Sequence, residues 1–201
     1  MTTQATEMNA EFVQREQAED IFFGQVVINW SRWFVIAAGV ALVMILTTTP
    51  EELTVGIIPI VGLMVVNFYL HGRRLAQKPA NRGLIAISSL LDLALITTVI
   101  AIGPSPAAAG LGNQFYVAYF PVIAAFGFVM PRMYTAVYTL IAMVAYTAVC
   151  VLADAKDTIA PQDSAADLES LITRLIVFAA VGGLASFFWR VQRQRRRSNR
   201  L

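Results

Sequence analysis

The sequence has few charged residues for its length. Asp, Glu, Lys and Arg make up 14% of the 201 residues, whereas soluble globular domains carry about 25%. Hydrophobic residues make up 57%, and the mean hydropathy is +0.63. A chain with this composition has lipid as its main solvent, so we expect an integral membrane protein.

Cysteine and histidine occur once each, as Cys150 and His71. A single cysteine excludes an intramolecular disulfide and a CxxC metal or redox motif. A single histidine excludes a bis-histidine haem and His-rich zinc or di-iron chemistry within this chain. A Walker loop, a Gly-rich dinucleotide motif and HExxH are also missing. We therefore expect a protein that is not an enzyme, has no cofactor and no metal, and binds no nucleic acid.

Long apolar runs fill most of the sequence. A transmembrane helix needs about 20 mostly apolar residues. Six candidate segments occur, at about residues 26–47, 53–70, 84–103, 115–130, 133–153 and 170–189. They are solid apolar blocks and lack the alternating pattern of membrane β-strands. The sequence predicts an all-α integral membrane bundle of six transmembrane helices.

Lys and Arg are distributed unevenly between the connecting segments. The N-terminal segment, the second loop, the fourth loop and the C-terminal tail hold about twelve of them, whereas the other three loops hold only Lys156. Because basic residues concentrate on the cytoplasmic side, both termini are predicted to be cytoplasmic, in a multi-pass protein of the bacterial cytoplasmic membrane. The expected parts are a cytoplasmic helix over 1–25, the transmembrane domain over 26–189 and a basic tail over 190–201.

Three ionisable residues lie inside the predicted spans. Arg32 in the first helix and Asp92 in the third are at similar depth, which suggests an intramembrane ion pair that clamps two helices. The alternatives are an Arg32 that extends to the headgroups and a proton or ion relay. Arg174 lies near the outer end of the sixth helix. It is interpreted as an interfacial arginine that pairs with a nearby acid, or as an anion-binding group.

Aromatic residues cluster at the start of the fourth helix. The cluster consists of Phe115, Tyr116, Tyr119 and Phe120, followed by Pro121. One interpretation is an interfacial aromatic belt with a proline kink. The other is an aromatic-lined outer cavity for an apolar or aromatic ligand.

The sixth helix combines small residues with a basic end. Small residues let helices approach closely, either within the bundle or against another subunit. The small-residue face includes Ala179, Gly182, Gly183 and Ser186. The basic end, which suggests a topology anchor or a site for anionic lipid or an acidic partner, consists of Arg190, Arg193, Arg195, Arg196, Arg197 and Arg200.

Several sequence features together resemble the N-terminal multi-helix sensor regions of bacterial membrane histidine kinases. These are "NWSRWF" in the first helix, "NFYLHGRRL" closing the second, "LLDLALITTVI" in the third, the block from "QFYVAYFPV" to "AVCVL", and "VGGLASFFWRVQRQRRR" at the end. The resemblance implies an acid in the third helix, matching Asp92, an aromatic–proline pair, matching Phe120 and Pro121, and homodimers. No histidine follows His71, so we expect no kinase domain within these residues.

The sequence therefore suggests a non-catalytic, sensor-like membrane module. Such a module binds a small ligand or a partner protein within the membrane, in addition to the surrounding lipids. The alternative is an accessory or structural subunit of a larger respiratory or photosynthetic membrane complex, which would contact other membrane subunits. A small-solute transporter is a third class, and the lack of internal repeats and broken helices argues against it.

Overall fold

The computed structural model describes residues 24–45, 47, 49–75, 82–102, 110–154 and 164–198. Within these ranges the chain is almost entirely helical, and no strand occurs. The predicted cytoplasmic helix over 1–25 lies outside the described residues except for Gly24 and Gln25, which begin the first helix. Arg200 of the predicted tail also lies outside them.

Six α-helices follow one another along the described chain. They are α1 (Gly24–Ile45), α2 (Pro50–Leu75), α3 (Arg82–Ile102), α4 (Tyr119–Val129), α5 (Arg132–Asp154) and α6 (Ser164–Ser198). Two short 3-10 turns, Gly110–Gly112 and Gln114–Ala118, precede α4. The predicted sequence of apolar helices therefore appears in the expected order.

Five of the helices, α1, α2, α3, α5 and α6, are long and apolar enough to cross a membrane. The fourth predicted span is shorter: it consists of a 3-10 turn of 5 residues and an α-helix of 11 residues. A multi-pass membrane protein is therefore indicated by five long helices and one shorter apolar helix.

The outer surface of the bundle is apolar. Phe34, Met44 and Ile45 are 68%, 73% and 76% exposed, and exposed Leu, Ile, Val and Phe side chains occur on every long helix. In water a contiguous apolar surface of this kind would drive association. In a lipid bilayer the same side chains lie in a solvent that is as apolar as they are.

The shortest helix lies at the centre of the bundle. Helix α4 packs against α3, α5 and α6, and Ser31 Oγ of α1 donates a hydrogen bond to the Pro121 carbonyl at 2.9 Å. Most of its side chains are buried. An apolar sequence without a polar face suits this position, because most of the helix meets other protein and the exposed Phe128 is also apolar. Helix α2 lies at the periphery, against α3 and α1.

The entry into α4 depends on one glycine and one asparagine. Gly110 has φ +58°, a left-handed conformation that glycine adopts without strain, and its backbone lies against Ala153 and Cys150 of α5. Asn113 caps the next turn, since its Oδ1 accepts from the Phe115 N–H at 2.8 Å while its Nδ2 donates to the Val99 carbonyl of α3 at 3.2 Å. These contacts fix the start of the aromatic segment between α3 and α5.

Candidate functional site

Arg32 and Asp92 form an ion pair in the interior of the bundle. Arg32 Nε of α1 donates to Asp92 Oδ2 of α3 at 2.6 Å, and each residue is only 1% exposed. The structure brings together the two residues that the sequence places at similar depth. The alternative in which Arg32 extends to the headgroups does not fit this buried position. Mutual neutralisation offsets the cost of burying each charge.

The ion pair leaves hydrogen-bonding capacity unused. A guanidinium and a carboxylate can form two parallel hydrogen bonds, but here only Nε and Oδ2 are joined. Arg32 Nη1, Arg32 Nη2 and Asp92 Oδ1 are buried and have no hydrogen-bond partner. The site therefore offers both N–H donors and a carboxylate acceptor to a further group.

Other buried polar side chains on α1 and α2 share this property. Gln25 and Asn67 have both amide atoms unpaired, and Asn29 has its Oδ1 unpaired. We use the name polar cluster for Gln25, Asn29, Arg32, Asn67 and Asp92. The sequence analysis did not select the three amides. The signal was present, because residues 25, 29 and 32 follow the spacing of one helix face.

A small cavity lies beside the polar cluster. Its volume is about 10 Å3, and polar side chains of Gln25, Asn29, Arg32, His71 and Ser88 contribute to its lining. This is close to the smallest volume that holds a water molecule. Asn29 Nδ2 donates to His71 Nδ1 at 3.1 Å, and His71 is exposed. Polar groups thus continue from the buried ion pair to the end of α2 that is predicted to be cytoplasmic.

The chemistry of the polar cluster favours binding. It combines one positive and one negative charge with amides that both donate and accept. Within the described residues, no group of three His, Cys, Asp or Glu residues could hold a metal ion. Water or a small polar ligand would match these groups.

Arg174 belongs to a second polar contact, on α6. Its Nη1 donates to the Tyr146 hydroxyl at 2.5 Å, and its guanidinium carbon lies 4.1 Å from the centre of the Tyr116 ring. Neither Asp167 nor Glu169 forms an ion pair with it in the described part of the chain, and the Asp154 side chain lies outside that part. The arginine is therefore held by two tyrosines. The sequence analysis did not select Tyr146.

The aromatic residues before and within α4 pack against one another. The ring centre of Tyr119 lies 5.9 Å from that of Tyr146 and 5.1 Å from that of Phe178, and the Phe120 ring lies 5.6 Å from Phe178. Tyr119 and Phe178 have no exposed surface, and Phe115 is also buried. These ring contacts give the aromatic residues a structural role in the described part of the bundle.

Pro121 lies in the first turn of α4, directly after the 3-10 turn. Its ring fixes φ at about −65°, a value that suits a helical residue.

The small residues of α6 divide between two environments. Gly182 is buried against Thr139 of α5, and Ala185 is buried against Gly127 of α4. Ala179 and Gly183 are exposed on the outer surface, and a Cβ on Gly183 would meet no atom within 4 Å. Ser186 donates to the Gly182 carbonyl at 2.9 Å. Internal packing explains Gly182 and Ala185. No contact within the described part of the bundle explains the small residues at Ala179 and Gly183.

The predicted basic tail continues α6. The helix extends through Ser198 without a break, and Arg190 is exposed. The side chains of Arg193, Arg195, Arg196 and Arg197 lie outside the described part of the chain. The helical backbone alone places these arginines beyond the apolar section of α6.

Comparisons of the chain with protein-family models, with curated proteins and with solved structures gave no match.

Proposed function

We propose that this chain is a non-catalytic, multi-pass membrane protein that acts as a sensor-like module and binds a small ligand or a partner protein within the membrane. In this proposal six helices cross the bacterial cytoplasmic membrane, α4 included, and both termini are cytoplasmic. The distribution of Lys and Arg supports the orientation, and an even number of crossings agrees with it.

The observation that carries the proposal is the unused hydrogen-bonding capacity of the polar cluster. Each buried polar atom without a partner costs about 1–3 kcal/mol, and the cluster contains several on three helices. A core selected only for stability would replace such groups by apolar ones. Their presence is explained if a ligand, a water molecule or a partner group completes the hydrogen bonds.

Through the ion pair, such binding can affect the packing of α1 against α3. It is the contact through which α1 and α3 share a buried charge. A ligand that binds the free nitrogens of Arg32 or the free oxygen of Asp92 changes the strength of that contact. Where α1 and α3 have two arrangements with different affinities for the ligand, binding shifts the equilibrium towards the arrangement that binds it more tightly. The resemblance of the sequence to histidine kinase sensor regions also supports the proposal.

The test is the isosteric substitution Gln25→Met, which removes two unpaired polar atoms from the cavity lining. We expect the variant to be at least as stable as wild type in detergent, because buried polar groups without partners are lost. We expect it to lose the small molecule or protein that remains bound to wild type after gentle extraction at native abundance. Mass spectrometry identifies the bound species, and Thr98→Val on the exposed side of α3 is the matched control. Retention of every associated species by Gln25→Met would contradict the proposal.

A second candidate function is an accessory subunit of a larger respiratory or photosynthetic membrane complex. Exposed Ala179 and Gly183 favour it, since a close-packed neighbour would explain small residues on the outer surface. Native electrophoresis after gentle extraction separates the two functions. Migration in a large stable complex favours the subunit, and migration alone or as a dimer favours the sensor-like module.

A further inference from the structure

An open groove of about 630 Å3 lies between α5 and α6 on the outer surface. Its lining extends over residues 132–143 of α5 and 179–190 of α6, so the two helices run antiparallel along it. Eleven residues of α-helix rise about 16 Å. The hydrocarbon core of a bilayer is about 30 Å thick, so the groove covers about one leaflet.

Small residues and large apolar residues both line the groove. Ala179 and Gly183 are among the small ones, and Leu140 and Phe187 are among the large ones. Glycine within a helix is about 1 kcal/mol less favourable than alanine. Nothing in the bundle requires that cost at Gly183, because a Cβ there would meet open space. A molecule outside the bundle that lies against the helix backbone would explain the residue.

Two arginines lie at the same end of the groove. Arg132 is the first residue of α5 and Arg190 follows the apolar section of α6, and both side chains are exposed. No carboxylate among the described residues forms an ion pair with either of them. This end of the groove therefore carries two positive charges without a described counter-charge, next to the positive end of the α5 helix dipole.

We infer that this groove binds one anionic phospholipid, with an acyl chain along the small residues and the phosphate between Arg132 and Arg190. The length of the groove matches one leaflet, and the charge lies where a headgroup would lie. The inference is independent of the sensor-like function, because it involves neither the polar cluster nor α1.

The charge at the end of the groove disfavours a second copy of this chain as the occupant. Two copies inserted in the same direction and related by an axis along the membrane normal would bring four arginines to the same depth at one interface. None of the groove-lining residues is acidic, so no neutralising group would accompany them. An anionic headgroup would neutralise the charge of Arg132 and Arg190, whereas a second copy would bring two more arginines to the same place.

The experiment uses the full chain, delipidated in detergent and transferred to phosphatidylcholine nanodiscs that contain a small fraction of phosphatidylglycerol. Native mass spectrometry after ejection from the nanodisc counts the lipids that remain bound. We expect one phosphatidylglycerol on the wild type. In Arg132→Gln/Arg190→Gln the apparent affinity should be about thirtyfold weaker, which corresponds to about 1 kcal/mol for each arginine at an anionic surface.

Two matched controls separate a specific site from general attraction. Arg195→Gln/Arg196→Gln removes the same charge further along the tail and should retain the lipid. Gly183→Leu places a large side chain on the groove lining, in space that is open in the bundle, and should displace the lipid. Ala180→Leu adds the same side chain at an exposed position outside the groove lining and should not displace it.

Three outcomes would overturn the inference. Equal loss of lipid in both arginine double variants would show non-specific attraction. Retention of the lipid by Gly183→Leu would place it elsewhere on the protein. A wild-type dimer or a co-purified protein that is released by Gly183→Leu, with no phosphatidylglycerol bound, would assign the groove to a helix of a second copy or of a partner.

Discussion

Arg32 and Asp92 are joined by a single hydrogen bond, from Nε to Oδ2 at 2.6 Å, and are otherwise enclosed by the bundle. The contact therefore neutralises both charges without using the remaining N–H groups of Arg32 or the second oxygen of Asp92. The energetic consequence is asymmetric: removal of both charges is far less costly than removal of one.

The first prediction follows from this asymmetry. Asp92→Ala leaves the Arg32 charge buried without a partner, so it should lower the free energy of unfolding by about 3–5 kcal/mol. Arg32→Met should be comparably destabilising, and the double variant should recover much of the loss. Unfolding in mixed detergent micelles measures all four proteins of the cycle. Simple addition of the two single effects would mean that the residues do not interact.

The contact between Arg174 and Tyr146 leads to the second prediction. Tyr146→Phe removes the hydroxyl that accepts from Arg174 Nη1 and retains the ring that packs against Tyr119 and Phe178. We expect a loss of stability of about 1–2 kcal/mol, because the charged donor loses its acceptor. Tyr134→Phe, at an exposed position of the same helix, should have no measurable effect. Equal stability of the two variants would contradict a structural role for the Arg174 hydrogen bond.

The third prediction compares two glycines. Gly110→Ala should destabilise the protein by at least about 1–2 kcal/mol, because alanine is strained at φ +58°. Its Cβ would also lie 2.8 Å from that of Ala153. Gly72→Ala, within α2 and with no atom near the new Cβ, should be neutral or stabilising by up to about 1 kcal/mol. Thermal unfolding of the two variants in one detergent measures the difference. A stability of Gly110→Ala equal to that of Gly72→Ala would show that the backbone at Gly110 can relax.

The helices were predictable because the signal is strong and local. Blocks of apolar residues separated by turn-rich loops define their order, and the approximate bounds of α1, α3 and α5 follow from the sequence. Helix α6 extends beyond the predicted 170–189 at both ends, because its polar and basic flanks continue the helix. The Arg32–Asp92 contact was also predictable, since a membrane interior leaves few partners for a charged side chain. The short α4 was selected as a span by its apolar composition, although its central position depends on packing that composition alone does not specify.

The rest of the candidate site could not be predicted because it depends on which helix faces meet. Gln25, Asn29 and Asn67 carry no charge. The spacing of residues 25, 29 and 32 indicates a polar face on α1, but it does not indicate which neighbouring helix that face meets. Tyr146 lies far from Tyr116 in the sequence, and Phe178 lies far from Tyr119. Each pair meets only through the packing of α5 and α6 around α4. The division of small residues between a buried and an exposed face of α6 likewise requires the position of α5.

The fourth prediction concerns orientation in the membrane. In a Cys150→Ala background, single cysteines at Ser105 and Ser164 should react with a membrane-impermeant thiol reagent added to intact cells. A cysteine at Gln77 should react only after the cells are opened, because its loop carries the basic residues expected on the cytoplasmic side. The extent of labelling is read by gel shift. Labelling at Gln77 in intact cells would reverse the proposed orientation.

The last prediction concerns the arginines beyond Arg190. Helix α6 already has Arg190 next to its apolar section, and the flanking segments carry a strong basic bias, so the tail holds more charge than orientation requires. Stopping the chain after Gln194 should leave insertion and orientation intact and should weaken retention in a native complex. The remaining retention should become more sensitive to salt, because exposed charges are screened over about 8 Å at physiological ionic strength. Substitution of Arg195, Arg196, Arg197 and Arg200 by lysine should preserve retention, whereas substitution by glutamine should match the truncation. Co-purification measured across a salt titration distinguishes the variants, and an unchanged profile in the truncated chain would reduce these arginines to a topology signal.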